Sequence, residues 1–303
     1  MRYRLLWVIA LQKTPAAFAT ATGLLQQHQP RKGEAYSLFQ VFRDSLELTK
    51  TIYKNLLPLL KDSVAAWELI SLTENMLDSG LITIDDLVPY KQDLYTLADV
   101  ALKKLKGGIK TWYNYHALIR ILPLLKDPTA NLWLRKFLLQ SNIYIKKTAA
   151  RALLQHGQPV ETAEWIKLAA DKEMRTSVYE DLVELNKTQL FPKQYYTEQA
   201  FAESGLYNIV SEDNDIKKWT FIGERIVTWQ GQRRKFYLYR IETTDEEEVR
   251  ITRLGIAGPY SLKPGKPTAE ADLMGVYWDK PYDVTKTDAL LKAWLKQQEQ
   301  YEE

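Results

Sequence analysis

The chemistry open to this chain is bounded first by its ligands, nucleophiles and acid–base groups. Its 303 residues contain no cysteine and three histidines, His28, His116 and His156. Without cysteine there are no disulfide staples, thiolate zinc sites, iron–sulfur clusters or cysteine nucleophiles. No two histidines stand at a metal-ligand spacing, and none lies in a His-Glu-x-x-His helix, so zinc chemistry has no signature. His116 stands out because Trp112, Tyr113 and Tyr115 crowd it. One helical turn from Trp112, it reads more simply as a packed histidine than as the wall of a polar pocket.

Phosphate and acyl chemistry are excluded by spacing. Gly265-Lys266-Pro267-Thr268 has no glycine five residues before Gly265, and Pro267 stands where a phosphate-binding loop needs a hydroxyl residue. Gly255-Ile256-Ala257-Gly258 lacks the dinucleotide fingerprint and the βαβ unit that would use it. There is no Gly-x-Ser-x-Gly elbow. Asp85 and Asp86 are neighbours, which do not face each other on a helix, and serve better as first-turn acids favouring a helix dipole. Asp245, Glu246, Glu247 and Glu248 read as a solvated turn, whereas a glycosidase pair must meet across a cleft. These residues predict a non-enzyme with no catalytic residue, no metal and no cofactor.

Bulk composition narrows the partners. An apolar share of 46% with 26% charged residues is ordinary for a folded soluble chain, long enough for roughly two domains. The 41 basic and 38 acidic side chains leave a net charge of +3, far from the imbalance of a nucleic-acid groove. Lys103, Lys104, Lys106 and Lys110 suit a helix C-terminus, and Arg233, Arg234 and Lys235 lie opposite the acidic turn. Phe236, Tyr237 and Tyr239 beside them are explained by strand alternation, with Phe236 and Leu238 on one sheet face and Tyr237, Tyr239 and Ile241 on the other. No nucleic acid is expected, and no stretch approaches the ~20 apolar residues of a membrane span. Arg2 and Arg4, the run Leu5 to Leu11 and the triplets Ala17-Phe18-Ala19 and Ala19-Thr20-Ala21 have signal-peptide features. The run is short and Lys13 follows closely, which favours a packed first helix and a cytoplasmic over an envelope or secreted location.

From Tyr36 to Ser204 the apolar residues recur at helical spacing, interrupted where helix ends belong. Leu38, Phe42, Leu46, Thr49, Tyr53 and Leu56 outline one stripe. Trp67, Ile70, Met76 and Leu77 outline another, which Gly80 stops. Leu57-Pro58-Leu59-Leu60-Lys61-Asp62 returns as Leu122-Pro123-Leu124-Leu125-Lys126-Asp127, each followed by a tryptophan, Trp67 and Trp133. Asp127-Pro128 reads as an N-cap with proline at the first helical position. Ile143 to Leu154 is alanine-rich and ends at His156-Gly157-Gln158-Pro159. Over 56–185 this pattern resembles HEAT-like repeats, in which small alanines let helix pairs stack into an array.

After Gly205 the pattern changes. Trp219 to Trp229, Arg233 to Glu242, Val249 to Ile256 and Leu273 to Trp278 read as strands of an antiparallel meander, with Gln230-Gly231-Gln232 a hairpin connection. Residues 261–272 form a longer exposed loop. Asp283 or Thr285 can cap a last helix whose Leu290, Leu291, Trp294 and Leu295 cover one sheet face. The fold class is therefore α+β: an all-α, HEAT-like array over 1–206, then a small antiparallel β domain with a terminal helix over 217–303.

A second resemblance rests on order of features: Glu173-Met174-Arg175, Leu190-Phe191-Pro192, Glu203-Ser204-Gly205-Leu206-Tyr207, Gly223-Glu224-Arg225 and Gly258-Pro259-Tyr260. In that order the chain is similar to the C-terminal portion of large bacterial proteins that also carry a TraB/GumN-type domain. The glycine-histidine signature of that domain is missing, so the resemblance implies an accessory role and no catalytic residue. Two functions are expected from these features. One is a non-catalytic module or scaffold that presents helices to a protein or peptide. The other is a small ligand, a glycan or lipid, held between sheet and terminal helix by Trp229, Tyr237, Tyr239, Tyr260 and Trp278.

Overall fold

A computed structural model describes residues 2–27, 32–106, 113–244, 249–263, 265–271 and 273–301. The chain forms two compact units, Met1–Val160 and Glu161–Glu303. The first is helical: α1 (Arg2–Ala10), α2 (Pro15–Gln27), α3 (Lys32–Arg43), α4 (Leu46–Lys50), α5 (Tyr53–Leu56), α6 (Ala65–Asp78), α7 (Lys91–Lys106), α8 (Tyr113–Ile121), α9 (Pro128–Leu138) and α10 (Ile143–Gln155). Phe18 of α2 packs edge-on against Phe42 at 5.0 Å, and Leu6, Ala10, Ala17 and Ala21 are buried with it. The stripe from Leu38 to Leu56 is carried by three short helices rather than one. Thr49 donates to the Phe42 carbonyl at 2.8 Å, tying α4 back to α3, and Leu38, Phe42, Thr49, Tyr53 and Leu56 are all buried.

The echoed hexapeptides start helices. Each forms a 3₁₀ turn with proline in its first positions, Leu57–Lys61 and Leu122–Leu125, and each closes on an aspartate. Asp62 Oδ1 accepts from the backbone N–H of Val64 and of Ala65, both at 2.7 Å, and Asp127 Oδ1 accepts from that of Thr129 at 2.8 Å. The Thr129 bonds hold the Asp127 carboxyl at about 2, below its ordinary value. The tryptophans then diverge: Trp67 is buried edge-on to Tyr115 at 4.9 Å, while Trp133 is half-buried with Lys136 Nζ 3.9 Å from its ring centre. Gly80 and Gly157 end their helices in the left-handed conformation, at φ 68° and 69°.

In the second unit, α11 (Thr162–Ala170), α12 (Arg175–Glu184) and α13 (Glu198–Asp213) precede the strands β1 (Asp215–Trp229), β2 (Gln232–Thr244), β3 (Arg250–Tyr260) and β4 (Leu273–Tyr277), and α14 (Thr287–Tyr301) follows. The sheet is an antiparallel meander in the order β1-β2-β3-β4. Gln230 and Gly231 turn β1 into β2 with φ of 46° and 73°, the left-handed pair that a two-residue hairpin requires. The fold is thus α+β, but the units divide at Val160/Glu161, before the change of pattern that the sequence marks after residue 206. Ala202, Leu206 and Val210 explain this, because they bury α13 in the core of the sheet. Buried Arg175 extends that attachment. Its guanidinium donates to the carbonyls of Ala169 at 2.8 Å and Ala200 at 2.6 Å, and pairs with Glu203 at 2.9 Å. Ser204 donates to the Lys172 carbonyl at 2.6 Å and meets the Thr176 hydroxyl at 2.8 Å. At Gly205 any side chain would run into the Ala269 carbonyl, so glycine is what lets Ala269 lie against α13.

Strand alternation sorts the sheet into two cores. Trp229, Phe236, Leu238, Leu254, Ile256 and Tyr277 meet Leu290, Leu291, Trp294 and Leu295 of α14. Tyr237, Tyr239, Ile241, Ala257, Tyr260 and Val276 meet α13 on the other side. Asp283 accepts from the Thr285 N–H at 2.9 Å in the 3₁₀ turn that leads into α14.

Candidate binding surfaces

The five aromatic residues singled out above do not form one site. Trp229 belongs to the α14 core, Tyr237, Tyr239 and Tyr260 to the α13 core, and all four are 4% exposed or less. Trp278, at 48%, lies past the end of β4 with the Arg253 guanidinium 6.0 Å from its ring centre. An aromatic chamber between sheet and α14 is therefore corrected: successive strand residues point to opposite faces, so Tyr237 and Tyr239 cannot join Trp229 and Phe236. The tyrosines instead continue a row of rings. Tyr207–Trp219, Trp219–Tyr239, Phe221–Tyr239, Phe221–Tyr237 and Tyr237–Tyr260 lie 5.3, 5.3, 5.5, 6.3 and 5.5 Å apart, spacings of favourable aromatic pairs.

Where that row reaches the start of α13, the structure assembles a polar group the sequence does not announce. Thr197 caps α13 by accepting from the Ala200 N–H at 3.2 Å, which sets Glu198 in the first turn. Glu198 Oε1 accepts from the Tyr237 hydroxyl at 2.9 Å and pairs with Lys235 Nζ at 2.7 Å. Lys235 Nζ also stands 5.4 Å from the Tyr237 ring centre. Burial pushes the Tyr237 hydroxyl up to about 12. Burial disfavours the charge of Lys235, yet the bonds to Glu198 and Tyr237 outweigh it and raise its pKa. The Tyr239 hydroxyl donates to the Gln199 carbonyl at 3.2 Å, whereas that of Tyr260 is buried without a partner among the described residues. Beside this group opens a cleft of about 350 Å³, lined by Tyr196, Glu198, Lys235, Leu262 and Lys263. The Tyr196 ring is braced by Tyr179 at 5.4 Å, Phe191 at 6.3 Å and Phe201 at 6.2 Å, and remains 40% exposed.

The first unit offers a different surface. While Leu6 and Ala10 face inward from α1, Leu5, Trp7, Val8 and Leu11 are 41–58% exposed. On helical spacing these four share the outer side. A cleft of about 380 Å³ also lies between the first echoed turn and α7, floored by Leu60, Trp67, Leu97 and Val100 and rimmed by Asp62, Asp93 and Lys104.

The remaining sequence candidates resolve locally. His116 is half-buried on α8, and Trp112, His28, Lys110 and Asp245–Glu248 lie outside the described residues, as does the side chain of Lys106. His156 follows α10, its pKa lowered by burial and by Lys126. Asp85 and Asp86 belong to a 3₁₀ turn, where Asp86 accepts from the Thr83 N–H at 3.2 Å. Among the described residues no group of three or more histidines and carboxylates is placed to hold a metal ion, and no helix is long and apolar enough to cross a membrane. Glu198, Tyr196 and Leu262 come from a helix start and two loops, so no periodic pattern brings them together; the one local signal that could have pointed there is Thr197 as a helix cap followed by Glu198 in the first turn. Compared with protein-family models, curated proteins and solved structures, the chain has no match.

Proposed function

We propose that the chain is a non-catalytic protein-interaction module whose helical unit docks a protein partner through α1. The observation that carries this is the outward apolar side of Leu5, Trp7, Val8 and Leu11. Contiguous apolar surface is uncommon on monomeric soluble proteins and marks contact sites, and tryptophan is enriched where binding energy concentrates. The HEAT-like character of the helices and the accessory role implied by the TraB/GumN-type resemblance are part of the same proposal. So is the absence of catalysis, which rests on the failed motif spacings.

The test compares two forms of the intact chain as bait in the native source, wild type and Leu5→Ser/Val8→Ser/Leu11→Ser. A specific partner retained by the first and reduced about tenfold or more with the second, equivalent to a loss of about 1.4 kcal/mol, is the expected result. Identical sets of retained proteins, with the triple variant still folded, would sink it. Concentration-dependent dimerisation that the same substitutions abolish would replace the foreign partner by a second copy.

A further inference from the structure

We propose that the cleft at the start of α13 is a saccharide-binding site, independent of the docking role of α1. Its wall is the half-exposed Tyr196 ring, packed against the rings of Tyr179, Phe191 and Phe201. Leu262, also lining the cleft, adds a second exposed apolar contact. A braced aromatic face with negative quadrupole suits the C–H face of a pyranose, and holding it beforehand removes part of the ordering cost of binding.

The polar side selects against other ligands. Lys235 and the Tyr237 hydroxyl both engage Glu198 Oε1, and in the proposed site Oε2 is the acceptor offered to the ligand. The cleft therefore presents a carboxylate acceptor and ammonium donors together, with Lys263 at its rim. A phosphate or carboxylate ligand would meet the Glu198 charge, and an apolar side chain would have to cover an ion pair without satisfying it. Vicinal sugar hydroxyls each donate and accept, so one can give its proton to Glu198 while its neighbour accepts from Lys235 or Lys263. The ion pair is held from beneath by Tyr237, so these groups are in place before the ligand arrives.

The intact chain would be titrated with maltotetraose, cellotetraose, laminaritetraose and chitotetraose, read by saturation-transfer NMR and calorimetry. At least one should bind with a Kd of about 1 mM or tighter. Tyr196→Ala and Glu198→Gln should each weaken it about tenfold, while Tyr196→Phe, which keeps the ring, should stay within about twofold. Leu262→Ala, on an exposed loop, is the second variant should Tyr196→Ala disturb the ring cluster, and about a threefold loss is expected there. No binding of any of the four sugars at about 10 mM, far above the expected Kd, would overturn the proposal. So would sugar binding that survives both Tyr196→Ala and Leu262→Ala, or saturation by inorganic phosphate or an acidic peptide in preference to the sugars.

Discussion

The two faces of the four-stranded sheet are built from alternate residues of the same strands, yet they close differently. Against α14, Trp229, Phe236, Leu238, Leu254 and Ile256 meet Leu290, Leu291, Trp294 and Leu295, a contact of hydrocarbon and ring surface. Against α13 the same strands present Tyr237, Tyr239 and Tyr260, whose hydroxyls reach Glu198, Gln199 and, for Tyr260, nothing described. The first face is stabilised by removing apolar area from water, which is non-directional. The second needs its polar atoms paired as well, and the place where that pairing reaches the surface is the cleft beside Tyr196. A helix cover of similar kind thus makes one face a closed core and the other a core with a polar outlet.

The largest expected effect tests the closed face. Trp294→Ala should destabilise the second unit by about 4 kcal/mol, the range for deleting a buried large side chain, read from urea melts of the intact chain. A loss below about 1 kcal/mol would mean that α14 does not close that face. The glycines of β3 sharpen the contrast next. A side chain at Gly258 would strike the Phe236 ring on the α14 face, whereas one at Gly255 would meet the terminal methyl of Ile241 on the α13 face. Gly258→Ala should cost about 2 kcal/mol and Gly255→Ala less, because a ring cannot give way as an isoleucine end can. The reverse order would contradict the rigidity assigned to the α14 core.

Smaller effects separate the hydroxyls of the α13 face. Tyr237→Phe should cost about 1 kcal/mol by removing the bond to Glu198, while Tyr260→Phe should be neutral or slightly stabilising, since its hydroxyl has no described partner. Equal losses would show that Tyr260 is paired in solution. The smallest signal is in pH. A phenol raised to about 12 in the folded chain ionises more readily when unfolded, near its ordinary 10.0. The folded state therefore binds the proton more tightly, and stability falls as pH rises from 10 toward 12. Tyr237→Phe should make that alkaline decline shallower in pH-dependent melts; an unchanged decline would assign it to Tyr239 and Tyr260, which burial also raises.

Much of this is legible in the sequence. The stop at Gly80, the cap at Asp127 and the Gln230-Gly231 hairpin are local, written by backbone conformations that few residues accept. The alternation of Phe236 and Leu238 against Tyr237 and Tyr239 is legible for the same reason, but the face of Trp229 is fixed only by its pairing with Gln232 across the hairpin, which puts it with Phe236 rather than with the tyrosines. The stripe from Leu38 to Leu56 was visible as a core but not as three helices, because the break depends on Thr49 reaching back to Phe42. The division at Val160/Glu161 was not legible, since α11 to α13 look like more of the helical run until Arg175 and Ser204 bind them together.

Sequence alone determined the change from helices to strands, the alternation of side chains on β2 and the lack of any cysteine, histidine or glycine constellation with catalytic spacing. Those follow from neighbours along the chain and from the period of the hydrophobic pattern. Only the tertiary structure decided which polar groups meet. Tyr196, Glu198, Lys235 and Leu262 are separated by up to 66 positions, 262 less 196, and come together because α13 is held over the sheet. No local pattern encodes such a meeting, for it depends on how a helix packs rather than on what any segment prefers by itself.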